Sequence, residues 1–278
     1  MTPASGWNMK FHASSDRVPS ATIIGRLNKA RQAVLFSAAS ALALIAPSNA
    51  APLGAPIDRV PALVLWAWER PEDLRGLAAD TAVAFLAQTL VVDASRIHIS
   101  PRRHPLRVSP STPLIAVTRI ETLLPVGGAG LLSGADVDIA RTIADTATLP
   151  RVVGVQVDFD ARLSERVFYR RVLRLLRDAV DSRTSLSMTA LASWCMDDAW
   201  LDGLPVDEVV PMLFRMGPTQ PNRQRAAAAI RAPECLAAVG TALDEPVTLR
   251  ERRRRVYVFS SKPWTAVRVA EARERAAR

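Results

Sequence analysis

Apolar and polar residues alternate most sharply over residues 151–160. Val152, Val153, Val155, Val157 and Phe159 give the run strand character, and Gln156, Asp158 and Asp160 interrupt it at every second position. Residues two apart on a strand share a face, so the three polar groups project one way and Val155, Val157 and Phe159 the other. After a break at 161–164 the period lengthens to that of an amphipathic helix over 165–180, with Phe168, Val172, Leu175, Leu176 and Ala179 on one stripe. The product is a strand-helix unit with two carboxylates at the strand's exit, where β/α architectures usually place their chemistry.

Similar units recur along the chain. A strand over 62–68 delivers Glu69, flanked by Trp66 and Trp68, and a short helix is expected over 73–77. Strand patterns over 81–92 and 96–100 follow, and Pro101, Pro105, Pro110 and Pro113 exclude a helix before the next strand at 113–120, which brings Arg119 and Glu121 to its exit. Gly127, Gly128, Gly130 and Gly134 lack the spacing of a phosphate-binding turn and read as a loop. A helix at 135–146 then buries Val137, Ile139, Ala140, Ile143 and Ala144. Beyond the 151–160 unit, strands at 185–194, 208–216, 235–243 and 255–259 present Trp194, Arg215, Asp244 with Glu245, and Lys262 with Trp264. Short helical stretches at 197–201 and 223–230 and a closing helix at 265–277 lie between and after them. Eight such steps predict an α/β fold, a single (β/α)8 TIM-type barrel with an irregular connection between strands 2 and 3. The rival is an open doubly wound sheet, which gathers its ligand loops at one switch point instead of after nearly every strand.

The N-terminus stands apart from this pattern. Residues 33–46 are uncharged and apolar or small, follow a basic stretch that includes Arg26, Lys29 and Arg31, and precede Ala50 and Ala51. Fourteen residues are short for a bilayer span and fit the apolar region of a secretory signal peptide, with Met9 as a more ordinary start than Met1. We therefore expect a signal peptide over 1–50, a Pro-rich linker over 51–61 and a barrel domain over 62–278, in a periplasmic or extracellular protein. A retained N-terminal anchor and a buried core helix are the competing readings, and export or anchoring is the only membrane relation the sequence suggests.

Charge adds little to the picture. The chain carries a formal net +9, of which residues 1–50 hold +4, so the barrel's excess is modest. The basic run 250–255 has no interleaved aromatic residues and reads as a solvated face leading into a strand, which gives no support to a nucleic-acid partner. Nothing calls for a cofactor. His98 and His104 lack metal-ligand spacing and read as surface residues. Cys195 and Cys235, placed at a strand exit and near a strand entry, are expected at opposite ends of the fold and unbonded, as buried thiols.

Several ordered motifs carry a resemblance. Residues 65–69, 155–160, 186–195, 210–217, 244–246 and 262–264 together resemble a bacterial domain-of-unknown-function family, numbered three-one-four-two, whose members are exported and uncharacterised. More distantly, the acid-rich fourth strand, Met212 with Phe214 on the sixth, and Trp264 after the eighth are similar to chitinase-type glycosidase barrels. That resemblance implies a carbohydrate partner and places Trp264 at the floor of a sugar site. It departs where the chitinase-type pattern requires a catalytic Glu, because position 162 is Arg, so that family's substrate-assisted chemistry does not carry over.

The carboxylates still permit glycoside chemistry. Asp158 and Asp160, with Cβ atoms about 7 Å apart on one strand face, fall within the range of acid pairs that flank a scissile glycosidic bond. Asp160, nearer the barrel mouth, is the candidate general acid. Its partner is Asp158, Glu69, Glu121, Asp244 or Glu245. Trp66, Arg119, Gln156, Trp194, Met212, Arg215, Lys262 and Trp264 complete the candidate ligand-binding set. Two alternatives stand beside this: Asp158 as an interior acid paired with Arg119 or Arg215, and tryptophans that fill the core instead of stacking on sugars. The sequence thus offers a glycoside hydrolase acting on an envelope or environmental polysaccharide, or a non-catalytic carbohydrate-binding or envelope interaction protein on the same barrel.

Overall fold

A computed structural model describes residues 55–123, 134–196, 198–215, 223–245, 247 and 255–277. The expected signal peptide, most of the glycine loop and most of the basic run lie outside these residues.

Eight parallel strands close into a barrel: β1 Leu63–Ala67, β2 Thr81–Val92, β3 Leu114–Thr122, β4 Val152–Asp158, β5 Ser185–Leu191, β6 Glu208–Met212, β7 Ala238–Ala242 and β8 Arg255–Phe259. Each pairs with its neighbours in sequence order, and β1 closes the ring by pairing with both β2 and β8, Leu63 standing opposite Thr81 on one side and Val256 on the other. The protein is therefore a (β/α)8 TIM-type barrel, and the acids of β4 lie at its C-terminal rim.

Among the described residues four α-helices pack outside: α1 Ala135–Thr146, α2 Arg166–Ala179, α3 Arg223–Ala229 and α4 Ala266–Ala277, following β3, β4, β6 and β8. The irregularity extends beyond the connection expected. After β2 the chain returns as the antiparallel strand Ile97–Pro101. After β1 the helix expected at 73–77 does not form. Glu72–Leu74 is instead a short strand paired with Leu106–Val108, because Glu72 and Leu74 are buried two residues apart with Asp73 exposed between them. After β5, among the described residues, only the 3-10 turns Ala192–Cys195 and Ala199–Leu201 intervene. On α2 the buried stripe is Phe168, Tyr169, Val172, Leu173 and Leu176, turned by about a residue from the one expected, so that Ala179 is exposed. On α1, Val137 likewise faces outward.

Two apolar cores result. Odd-even parity sends Val155, Val157, Leu186, Met188, Val256 and Val258 outward against the helices. Val64, Trp66, Ile115, Val117, Val210, Tyr257 and Phe259 fill the interior. At the base, Ile57 and Val60 from the turn Pro56–Arg59 join the interior core. Arg255 holds that turn by donating to the carbonyl oxygens of Ile57, Val60 and Pro61, and it also pairs with buried Glu208, whose other oxygen accepts from Tyr257 Oη at 2.9 Å. A buried guanidinium is tolerated here because its donors are satisfied.

Cys195 and Cys235 are joined in a disulfide, with Cα atoms 5.9 Å apart, contrary to the sequence expectation. That expectation ran the strands to 194 and from 235. In fact β5 stops at Leu191, and the following turn folds along the outer wall until Cys195 O accepts from Arg231 N and Ala232 N at 2.7 and 3.0 Å. Cys235 ends the turn Pro233–Cys235 ahead of β7, alongside that segment.

Candidate functional site

At the C-terminal rim the interior opens into a cavity of about 240 Å³. This is below the ~300 Å³ at which pockets for drug-sized ligands begin, so it suits one ring-sized moiety better than a long chain. The inward positions of β1 supply its floor. Trp66 is 2% exposed, and its Nε1 donates to Gln156 Oε1 at 2.8 Å while Gln156 Nε2 donates to Ser187 Oγ at 3.2 Å. Gly240 makes room for the indole, since a Cβ there would lie 2.7 Å from the ring. The indole is further bounded by Tyr257 and Phe214, with ring centroids at 5.2 and 5.8 Å.

The wall toward β6 and β8 is aromatic and cationic. Phe214 and Phe259 stack with centroids 5.3 Å apart and planes 5° from parallel, Trp68 meets Phe259 edge-on at 6.5 Å, and the Arg215 guanidinium lies 4.6 Å from the Phe259 centroid. Opposite, β3 to β5 build a charged wall. Asp158, nearly buried, accepts from Arg119 Nη1 at 2.8 Å and from Thr189 Oγ1 at 2.7 Å. Arg119 also donates through Nε to Glu121 at 2.9 Å, and its Nη2 stands 4.0 Å from Asp160 Oδ2. Asp160 keeps 48% of its side-chain surface open. Burial of the rest, and then the neighbouring Asp158 charge, raise its pKa above the usual carboxylate value, with Arg119 opposing them. One wall thus carries a carboxyl with raised proton affinity, opposite a face on which a flat apolar surface can stack.

Of the residues anticipated from sequence, Trp66, Arg119, Asp158, Asp160, Met212 and Arg215 line the cavity and Gln156 braces its floor. The rest lie elsewhere. Glu69 accepts from the backbone of Arg103 and His104 and from His104 Nδ1 at 2.6 Å, outside the cavity. Trp194 packs edge-on against Trp200 at 4.9 Å, in the core outside the barrel. Trp264 is also in that core, donating Nε1 to Trp66 O at 2.9 Å, so it is Trp66 and not Trp264 that floors the cavity. Lys262 has an exposed side chain, and its carbonyl accepts from Arg70. Asp244 is exposed and held below its usual pKa chiefly by a hydrogen bond from Ser261. Glu121 serves Arg119, and Glu245 accepts from Arg215 N at 3.0 Å. Phe214, singled out beside Met212 in the sequence, also lines the cavity; Thr189 and Phe259 were not anticipated, and parity would have found them, since Thr189 shares a face with Ser187 and Phe259 with Tyr257. Among the described residues no cluster of His, Cys, Asp and Glu could hold a metal ion.

No family model matches the chain, and no curated protein matches it in sequence. Among solved structures, the chitinase domain of the spore coat protein CotE from Clostridium difficile is similar over 57% of this chain and 52% of its own, at 16% identity and a TM-score of 0.36. The spore cortex-lytic enzyme SleL from Bacillus cereus is similar over 66% and 52%, at 15% identity and a TM-score of 0.38. The chain spans about half the length of these two structures, and the likeness is too slight to carry an argument about activity.

Proposed function

We propose that this barrel binds a sugar ring in the rim cavity and hydrolyses its glycosidic bond, with Asp160 as the general acid. The observation that carries the reading is a raised-pKa carboxyl set across one small cavity from the aromatic surface of Trp66, Trp68, Phe214 and Phe259. A sugar's apolar face stacks on such a surface, while a protonated carboxyl delivers its proton to the departing glycosidic oxygen. Asp158, fixed by Arg119 and Thr189 on the same wall, is the neighbouring carboxylate that stabilises the developing positive charge or activates the attacking group. Arg162 stands where the chitinase-type acid would be; its backbone N–H donates to Glu165 Oε2 at 2.7 Å and its carbonyl accepts from Glu165 N at 2.9 Å.

Asp160→Asn tests the assignment. Release of reducing sugar from a responsive glycan should fall by a factor of about 100 or more while binding persists, the usual scale for removing a general acid; unchanged turnover would sink it. A second reading has its own support. Both oxygens of Asp158 are engaged by Arg119 and Thr189, which leaves Asp160 without an uncommitted partner in the cavity and favours carbohydrate binding without hydrolysis. Binding with no hydrolysis across a broad glycan panel would decide for it. The disulfide fits a protein exported to an oxidising compartment, where an envelope or environmental polysaccharide is the available substrate.

A further inference from the structure

Among the described residues two guanidinium groups line the cavity, and they are committed differently. Arg119 is occupied on the charged wall, where Asp158 and Glu121 accept from it and Asp160 lies at 4.0 Å. Arg215, beyond the end of β6, is exposed, and among the described residues no carboxylate oxygen lies within ion-pair distance of its guanidinium, although Asp244 is near enough for the Arg215 charge to help lower its pKa. Its guanidinium is nevertheless positioned. It lies 4.6 Å from the centroid of Phe259, which is itself stacked on Phe214. Cation-π contact of this kind holds the plane of the fork against the ring while leaving its N–H edge open to an acceptor.

The backbone shows the same bias. Arg215 has φ 52°, in the left-handed region that costs a non-glycine residue about 1 kcal/mol or more. The Glu245 carboxylate holds that conformation by accepting from Arg215 N at 3.0 Å. A side chain meant only for solvent needs no such fixing. The wall bearing Asp160 belongs to β4, and Phe259 ends β8, four strands away around the ring. A ligand ring on Trp66 would therefore meet the acid at one edge and the Arg215 fork at the other.

We infer that Arg215 makes the cavity selective for a sugar carrying a carboxylate, a uronic-acid-type residue, whose two oxygens match the two parallel N–H groups of the fork. This rests on the carbohydrate reading above and names the substrate class within it. Neutral hexoses would occupy the same floor without that contact. On the opposite wall the Arg119 guanidinium is already engaged by Asp158 and Glu121, so the β8 side offers the carboxylate the less committed fork.

The test is the ratio of affinities for glucuronic and galacturonic acid against glucose and galactose, measured by titration calorimetry on the wild-type chain and on Arg215→Gln and Arg215→Lys. In the wild type the acidic sugars should bind at least roughly tenfold tighter, the worth of one charge-assisted hydrogen bond, and more weakly as salt is raised. In Arg215→Gln the ratio should approach one, with Arg215→Lys intermediate because it keeps the charge and loses the fork. Thermal unfolding of each variant confirms that a folded chain is being compared. Equal binding of acidic and neutral sugars by the wild type, or a ratio unmoved in Arg215→Gln, overturns this inference and leaves the carbohydrate reading standing. Failure of the wild type to bind either class overturns both.

Discussion

Asp160 carries a prediction that separates its electrostatics from its chemistry. Its folded-state pKa is raised, so folding favours the protonated form. That contribution is present below the ordinary carboxylate range and is lost as pH rises through the raised value. Asn cannot ionise, so Asp160→Asn should match the wild type in stability at acid pH and exceed it near pH 7. The gain should be under about 1 kcal/mol, because half of the side chain is open and solvent screening discounts the effect. Thermal midpoints at the two pH values check this, and an equal offset at both would refute it. At this scale the sequence was informative wherever parity ruled. The spacing of Gln156, Asp158 and Asp160 sufficed to turn them inward. It left Asp158 with either Arg119 or Arg215 as partner, and strand order decides, since β3 lies beside β4 while β6 lies two strands away. Trp66 and Trp264 are alike as apolar residues near strand exits, and the chitinase-type resemblance favoured Trp264 as the floor. Only the space above Gly240 made one of them the floor.

At the scale of elements, periodicity located all eight barrel strands and the four α-helices of the described residues, and it failed where an element was short. Residues 73–77 contain too few positions for a helical stripe to be told from strand alternation, and burial of Glu72 against Arg70 and Trp264 decided for the strand. The Cys195–Cys235 bond was missed for a related reason. Apolar residues continue past Leu191, so nothing in the pattern marks where β5 gives way to a turn. The bond closes a loop of 40 residues that includes β6 and α3, and chain-entropy arguments set its contribution at about 4 kcal/mol. Replacing both cysteines by serine, or adding a reductant, should lower unfolding stability by roughly 2–4 kcal/mol; a denaturant midpoint indifferent to reductant would contradict this. The bond lies three residues past Ala192, which lines the cavity, so a reduced protein should also bind ligand more weakly.

For the whole molecule, we propose export on the strength of the apolar stretch at 33–46 and the basic residues that precede it. Mass mapping of the N-terminus of the exported protein should find Ala51 first, and an intact Met1 or Met9 would count against cleavage. The barrel architecture was legible because strand patterns recur with acids and tryptophans at their exits. What the pattern could not convey is how the ring is fastened at its base, where Arg255 reaches carbonyl oxygens nearly two hundred positions earlier in the chain. Contacts of such long range are slow to form. In a chain delivered N-terminus first, β1 waits for one of its two neighbours, and the turn at Pro56–Arg59 for its only guanidinium clasp among the described residues, until Arg255 arrives. Until then the ring cannot close, a delay that would suit the proposed export if the chain crosses a narrow pore as an unfolded thread.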